Sequence, residues 1–161
     1  MNPKLRVGIA EIRIAGAPER LVSYGLGSCL GVMLYAPELC CGGLAHTLLP
    51  EPGQKGAGNR PGKFVRTAIP ALIAGLEQFG AERRQLVAKL CGGAHMFQNL
   101  NGRMTIGERN IRVARMLLEE LRIPLLAEDV GGCQGRTCEF RLEDGKVLVR
   151  LARGRDKLRE L

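Results

Sequence analysis

Residues 23–29 read SYGLGSC, and His46 follows in the stretch AHTLLP. A cysteine used only for packing needs no glycines around it. A nucleophile presented on a tight turn does, because glycine reaches backbone conformations closed to other residues. Cys29 and His46 are the residue types for thiol chemistry. An imidazolium beside a cysteine can lower the thiol pKa from about 8.5 to as low as roughly 3.5. Gly25 and Gly27 leave backbone N–H groups free to hold the oxyanion of a tetrahedral intermediate, worth about 3–4 kcal/mol per donor. Ser23, in the strand before the turn, is the candidate for orienting the imidazole. The reaction so assembled is acyl transfer: thiolate attack on a carbonyl, protonation of the leaving group by His46, then hydrolysis of the thioester. The plain alternative is that Cys29 is a small core residue and His46 a core histidine with satisfied nitrogens.

These residues need strands to hold them. Residues 30–35 and 40–48 read as two strands around a turn at Ala36-Pro37-Glu38. A hairpin centred between Pro37 and Glu38 puts Cys29 directly opposite His46, with Cβ atoms roughly 4.5–5.5 Å apart. Upstream, residues 5–14 alternate as one strand, Gly16-Ala17-Pro18 breaks it, and residues 21–24 form a short strand running into the glycine turn. Residues 50–62 are rich in Pro and Gly and read as a loop long enough for a mobile flap.

Downstream, Phe64, Val65, Ala68, Ile69, Leu72, Ile73, Leu76 and Phe79 line one helical face, with a kink or a late start expected at Pro70 and Gly80 as the stop. Residues 85–91 form a buried strand that ends at Gly92-Gly93. Residues 107–122 form a second amphipathic helix with Ile111, Ala114, Leu118 and Leu121 inward. Residues 125–130 are a strand, and residues 137–142 and 146–152 form a hairpin across Asp144-Gly145. The expected fold is α+β: a single domain over residues 1–152, with mixed or antiparallel β-sheets flanked by helices. Residues 153–161 form a charged tail, frayed or a short surface helix.

Composition narrows the partners. The net charge of +8 favours acidic ones, while no Trp, two Tyr and four Phe leave few stacking platforms, so an acidic protein ranks above nucleic acid. MNPKLRVGIAEIR is no signal peptide, and no apolar run approaches a membrane span, so no membrane insertion is expected. The expected location is the cytoplasm, where the six cysteines stay reduced. The spacings of Cys40-Cys41, Cys91 to His95 and Cys133 to Cys138 do not match usual zinc pairs. GLGSCLG runs into a strand and not a helix, so it fits a dinucleotide loop poorly. No metal and no cofactor are expected. His95 is either a second catalytic histidine or a loop residue near the cleft.

GLGSC, GGLAHTLLP, KFVRTAIPALI, KLCGGAHMF, IGERN and DVGGCQGR occur in the order seen in the CheD family of bacterial chemoreceptor glutamine deamidases. The resemblance spans about Val7 to Leu151. It implies a cysteine-hydrolase fold related to the catalytic domain of cytotoxic necrotizing factor toxins. It implies hydrolysis of selected glutamine side chains on chemoreceptor cytoplasmic helices to glutamate, with release of ammonia. The family's nucleophile falls on Cys29 and its histidine on His46. Its third position, Thr in well-known members, is Ser23 here. Arg66 stands where Asp is usual, and His95 where Asn is common. The family also binds CheC-type phosphatases, so a phosphatase partner is implied. A second reading is a binding module that regulates such a phosphatase with little or no catalysis.

Overall fold

A computed structural model describes residues 3–96, 102–154 and 158–161. The strands are β1 (Lys4–Arg6), β2 (Ile12–Gly16), β3 (Arg20–Leu26), β4 (Leu30–Ala36), β5 (Cys41–Thr47), β6 (Val87–Gly92), β7 (Leu125–Val130), β8 (Arg136–Arg141), β9 (Val147–Leu151) and β10 (Leu158–Glu160). Two helices, α1 (Val65–Gln78) and α2 (Ile106–Glu120), flank β6. One five-stranded sheet has the order β1-β3-β8-β9-β10, and the other has β2-β5-β4-β6-β7. Both are mixed, because β1 runs parallel to β3 and β6 parallel to β7. The expected α+β class holds.

The layers follow from alternation along β4. Leu30, Val32, Leu34 and Ala36 face α1 and α2 in one apolar cluster, while Met33 and Tyr35 join Leu21, Leu26, Phe140 and Val149 in a second cluster between the sheets. Every residue of β4 and β5 is buried, as strands covered on both faces must be. The close approach is visible at Gly42 and Gly43. A Cβ at Gly42 would lie 2.9 Å from the Phe140 ring in the facing sheet, and one at Gly43 would lie 2.8 Å from Leu72 of α1.

Both helices form where the apolar spacing predicts. Pro70 does not delay α1, which starts at Val65. Pro70 is exposed, so its missing N–H is lost on the solvent side. Gly80, at φ 109°, follows the end of α1 as expected. Thr105 and Glu108 close the start of α2 reciprocally: the Thr105 hydroxyl accepts from the Glu108 N–H, and the Glu108 carboxylate accepts from the Thr105 N–H.

Three expectations change. Residues 5–14 are not one strand: a turn in which Gly8 O accepts from Glu11 N–H carries the chain from one sheet to the other, between β1 and β2. The β4–β5 turn is longer than expected, because Pro37 opens a short 3-10 turn over Pro37–Leu39 and Cys40 then turns left-handed at φ 47°. Residues 158–160 are neither frayed nor helical, and pair as β10 on the edge of β9. Residues 50–62 form an exposed loop whose base is closed where Leu49 bridges Phe64.

Candidate active site

The longer turn sets the register that matters most. Gly31 pairs with His46, and Leu30 with Thr47. Cys29 is therefore not directly opposite His46, and the expected pairing is off by two residues. A shift of two preserves the face, where a shift of one would have reversed it. His46 shares its face with Gly42 and Leu44, toward the other sheet, and Cys29 belongs to the inter-sheet cluster. Extending the ladder by one residue makes Cys29 and His46 diagonal neighbours, a relationship spanning about 7–8 Å between backbones. Gly31, between them, has no side chain to separate them.

The Cys29 turn is tied down through its carbonyls. Gly27 O accepts from Ala94 N–H at 2.9 Å, and Cys29 O accepts from Gly93 N–H at 2.8 Å. Between these, Ser28 O accepts from Asn110 Nδ2 at 2.9 Å. Among the described residues, the N–H groups of Ser28 and Cys29 donate to no backbone carbonyl outside the strand ladders. The two glycines differ. Gly25 supplies φ +65°, whereas a Cβ at Gly27 would make only ordinary contact with the Met96 side chain, at 3.4 Å.

His46 is only 2% exposed. Its Nδ1 lies 3.4 Å from Val7 O, while Nε2 is buried with no hydrogen-bond partner among the described residues. With Nδ1 donating to a carbonyl, Nε2 is the unprotonated nitrogen and the free base. Ser23 is fully buried, and its hydroxyl donates to the same Val7 O at 2.7 Å. Among the described residues, no hydrogen bond joins Ser23 to the imidazole; the two side chains meet at the Val7 carbonyl.

Burial dominates the electrostatics of both groups. Burial pushes the Cys29 thiol up from its ordinary value, opposed by its own backbone N–H. Burial lowers His46, opposed by the Val7 carbonyl and by Glu11, with Arg6 adding to the lowering. Both directions favour the neutral thiol and the neutral imidazole over a thiolate and an imidazolium. The site resists charge until something else stabilises it.

The remaining candidates lie nearer the surface, His95 between Ala94 and Met96, which both meet Gly27 of the Cys29 turn. His95 is exposed, with its backbone N–H on Gly132 O at 2.9 Å. Arg66 pairs with Glu51 at 3.3 Å near the surface. All six cysteines are free. Two contributors escaped the sequence reading. The Val7 carbonyl carries no side-chain signature. Asn110 does: it lies three residues after Gly107 and four before Ala114 on the inward stripe of α2, and a polar residue on such a stripe is itself the signal.

A thiol and an imidazole on one face of the β4–β5 ladder, toward the other sheet of an α+β domain, are the residue types of a nucleophile and a base. The family model described as CheD chemotactic sensory transduction matches residues 48–151. The chain is 43% identical over 150 residues to a probable chemoreceptor glutamine deamidase CheD of Clostridium botulinum strain Hall, covering 91% of this chain and 92% of that protein. It is 41% identical over 151 residues to the protein of the same description in Desulforamulus reducens, covering 92% of this chain and 91% of that one. The chain belongs to the CheD family.

Proposed function

We propose that this protein is a chemoreceptor glutamine deamidase, with Cys29 as nucleophile, His46 as base and acid, and Ser23 as the residue that sets the Val7 carbonyl. The observation carrying this reading is the unpartnered His46 Nε2 on the face that holds Cys29. As the Cys29 sulfur attacks the glutamine side-chain carbonyl, Nε2 takes the thiol proton. The carbonyl oxygen becomes an oxyanion held by backbone N–H groups of the turn. The C–N bond breaks, His46 returns the proton to the departing ammonia, and a thioester remains. Water, deprotonated by His46, cleaves it to glutamate and restores the thiol.

The neutral resting pair suits this sequence. No charge separation is stored at rest, and ionisation is coupled to attack. The substrate surface is an acidic helix, drawn by the net charge of +8. A groove of about 500 Å³ along α2 sets Arg103, Arg109 and Arg112 beside Met104 and Met116, with Glu51 the one acidic residue among the described lining, and this net basic, part-apolar wall suits an amphipathic acidic helix. The protein works in the cytoplasm, where receptor methylation helices lie, and a CheC-type phosphatase is its regulatory partner. Among the described residues, no helix is long and apolar enough to cross a membrane.

The test is incubation with a receptor cytoplasmic fragment and mass analysis of its glutamine peptides. Wild type converts amide to acid, and Cys29→Ala does not. Equal traces from the two would reject the enzyme reading.

A further inference from the structure

We infer that Asn110 is a positioning residue for catalysis: by holding the Ser28 carbonyl toward α2, it turns the Cys29 N–H into the reaction space as the oxyanion donor. The inference rests on the deamidase reading and extends it to a residue on a separate element.

The argument begins with peptide planarity. In a trans peptide the C=O of one residue and the N–H of the next point in opposite directions. Asn110 is fully buried on the inner face of α2, and its Nδ2 donates to Ser28 O at 2.9 Å and to Leu48 O at 3.2 Å. The helix layer lies on one side of the β4–β5–β6 sheet, and the inter-sheet space lies on the other. Drawing Ser28 O toward α2 sends the Cys29 N–H the other way, to the side that carries the thiol and His46.

The same side chain joins both halves of the site. Ser28 precedes the nucleophile, and Leu48 follows β5, which carries His46. Its orientation is not interchangeable. Turning the amide over would set its oxygen against two carbonyl oxygens. The cost of this arrangement is visible in Asn110 Oδ1, which is buried without a partner. A buried amide oxygen left unpaired lowers stability. An apolar residue would avoid that penalty only by leaving Ser28 O and Leu48 O without their donor. Gly107, one turn earlier, lets α2 approach closely enough: a Cβ there would collide with the carbonyls of Gly93 and Ala94. Those two residues supply the N–H groups that hold Cys29 O and Gly27 O.

The test compares wild type with Asn110→Asp, which keeps the shape but replaces the donor with an acceptor, and with Asn110→Leu, which keeps the bulk and repels nothing. Two readouts separate positioning from scaffolding. Deamidation of a receptor fragment needs the oxyanion donor, whereas iodoacetamide alkylation of Cys29, followed on its own peptide by mass, needs only the thiol and His46. The expected result is kcat lowered by about 10²-fold, the lower range for loss of one oxyanion donor, with KM and the Cys29 alkylation rate within about threefold of wild type. Unchanged kcat in either folded variant overturns the inference and leaves the deamidase reading standing. Parallel loss of turnover and alkylation, or failure of both variants to fold, also overturns it, since Asn110 would then be structural. A wild-type protein without deamidase activity, with Cys29 still alkylated, rejects the deamidase reading and the inference with it.

Discussion

Ser23 and His46, on facing sheets, share one acceptor: the Val7 carbonyl lies 2.7 Å from the Ser23 hydroxyl and 3.4 Å from His46 Nδ1. The imidazole is thus oriented by a neutral carbonyl that a neutral hydroxyl holds in place. Ser23→Ala removes one buried hydrogen bond, worth about 0.5–1.5 kcal/mol, so deamidation should fall by about threefold to tenfold in kcat. Ser23→Thr keeps the hydroxyl and should stay near wild type. Steady-state kinetics on a receptor fragment checks both.

The pH dependence follows from the two shifts. His46 is lowered by burial, so it stays neutral below its ordinary pKa, and the acid limb of kcat/KM should lie below about 6.5. For folding, a lowered histidine contributes stability above the unfolded pKa that is lost as pH falls through the folded one. Cys29 is raised by burial, so its contribution is present below the unfolded thiol pKa and lost as pH rises through the folded one. Its alkylation at neutral pH should be slower than that of a free thiol and should climb into the alkaline range. A rate profile with a midpoint well below that of free cysteine would contradict the neutral pair.

Asp129 and Arg136 form a buried ion pair at 3.2 Å, with side chains only 4% and 5% exposed. Replacing one partner leaves the other charge stranded, which costs about 3–5 kcal/mol in such settings. Asp129→Ala should therefore lower the midpoint of urea unfolding markedly. Arg84→Ala, at an exposed pair, should leave it nearly unchanged.

The groove along α2 predicts a binding defect without a chemical one. Arg109→Glu with Arg112→Glu should raise KM for the receptor fragment several-fold and leave kcat unchanged. The wild-type KM should itself rise with salt, as screening shortens the reach of the basic groove. Titration of KM against ionic strength separates the two forms.

Much of this architecture was legible from residue spacing, for reasons that differ by element. The stripes of α1 and α2 and the Asp144-Gly145 hairpin are local signals, and they appear where expected. The crossing between β1 and β2 was hidden because residues on both sides of it keep the same alternation, while the turn at Gly8 is one residue type among many glycines. The two-residue offset between Cys29 and His46 was hidden because Pro37 sets turn length through a 3-10 turn that no alternation reveals. The face of His46 survived because the offset is even. Side chains could be nominated from their type, whereas the Val7 carbonyl, a backbone atom, could be found only in three dimensions.

The edge strand β10 links distant parts of the molecule. Arg159 reaches Asp129 at 3.1 Å, Asp129 holds Arg136, and Arg136 Nη1 lies 3.5 Å from Gly92 O. Gly92 adjoins the Gly93 N–H that grips the Cys29 carbonyl. Anything that peels β10 away, whether a protease or a fused sequence pulling on that edge, therefore tugs at the far end of a tether whose other end is the Cys29 backbone.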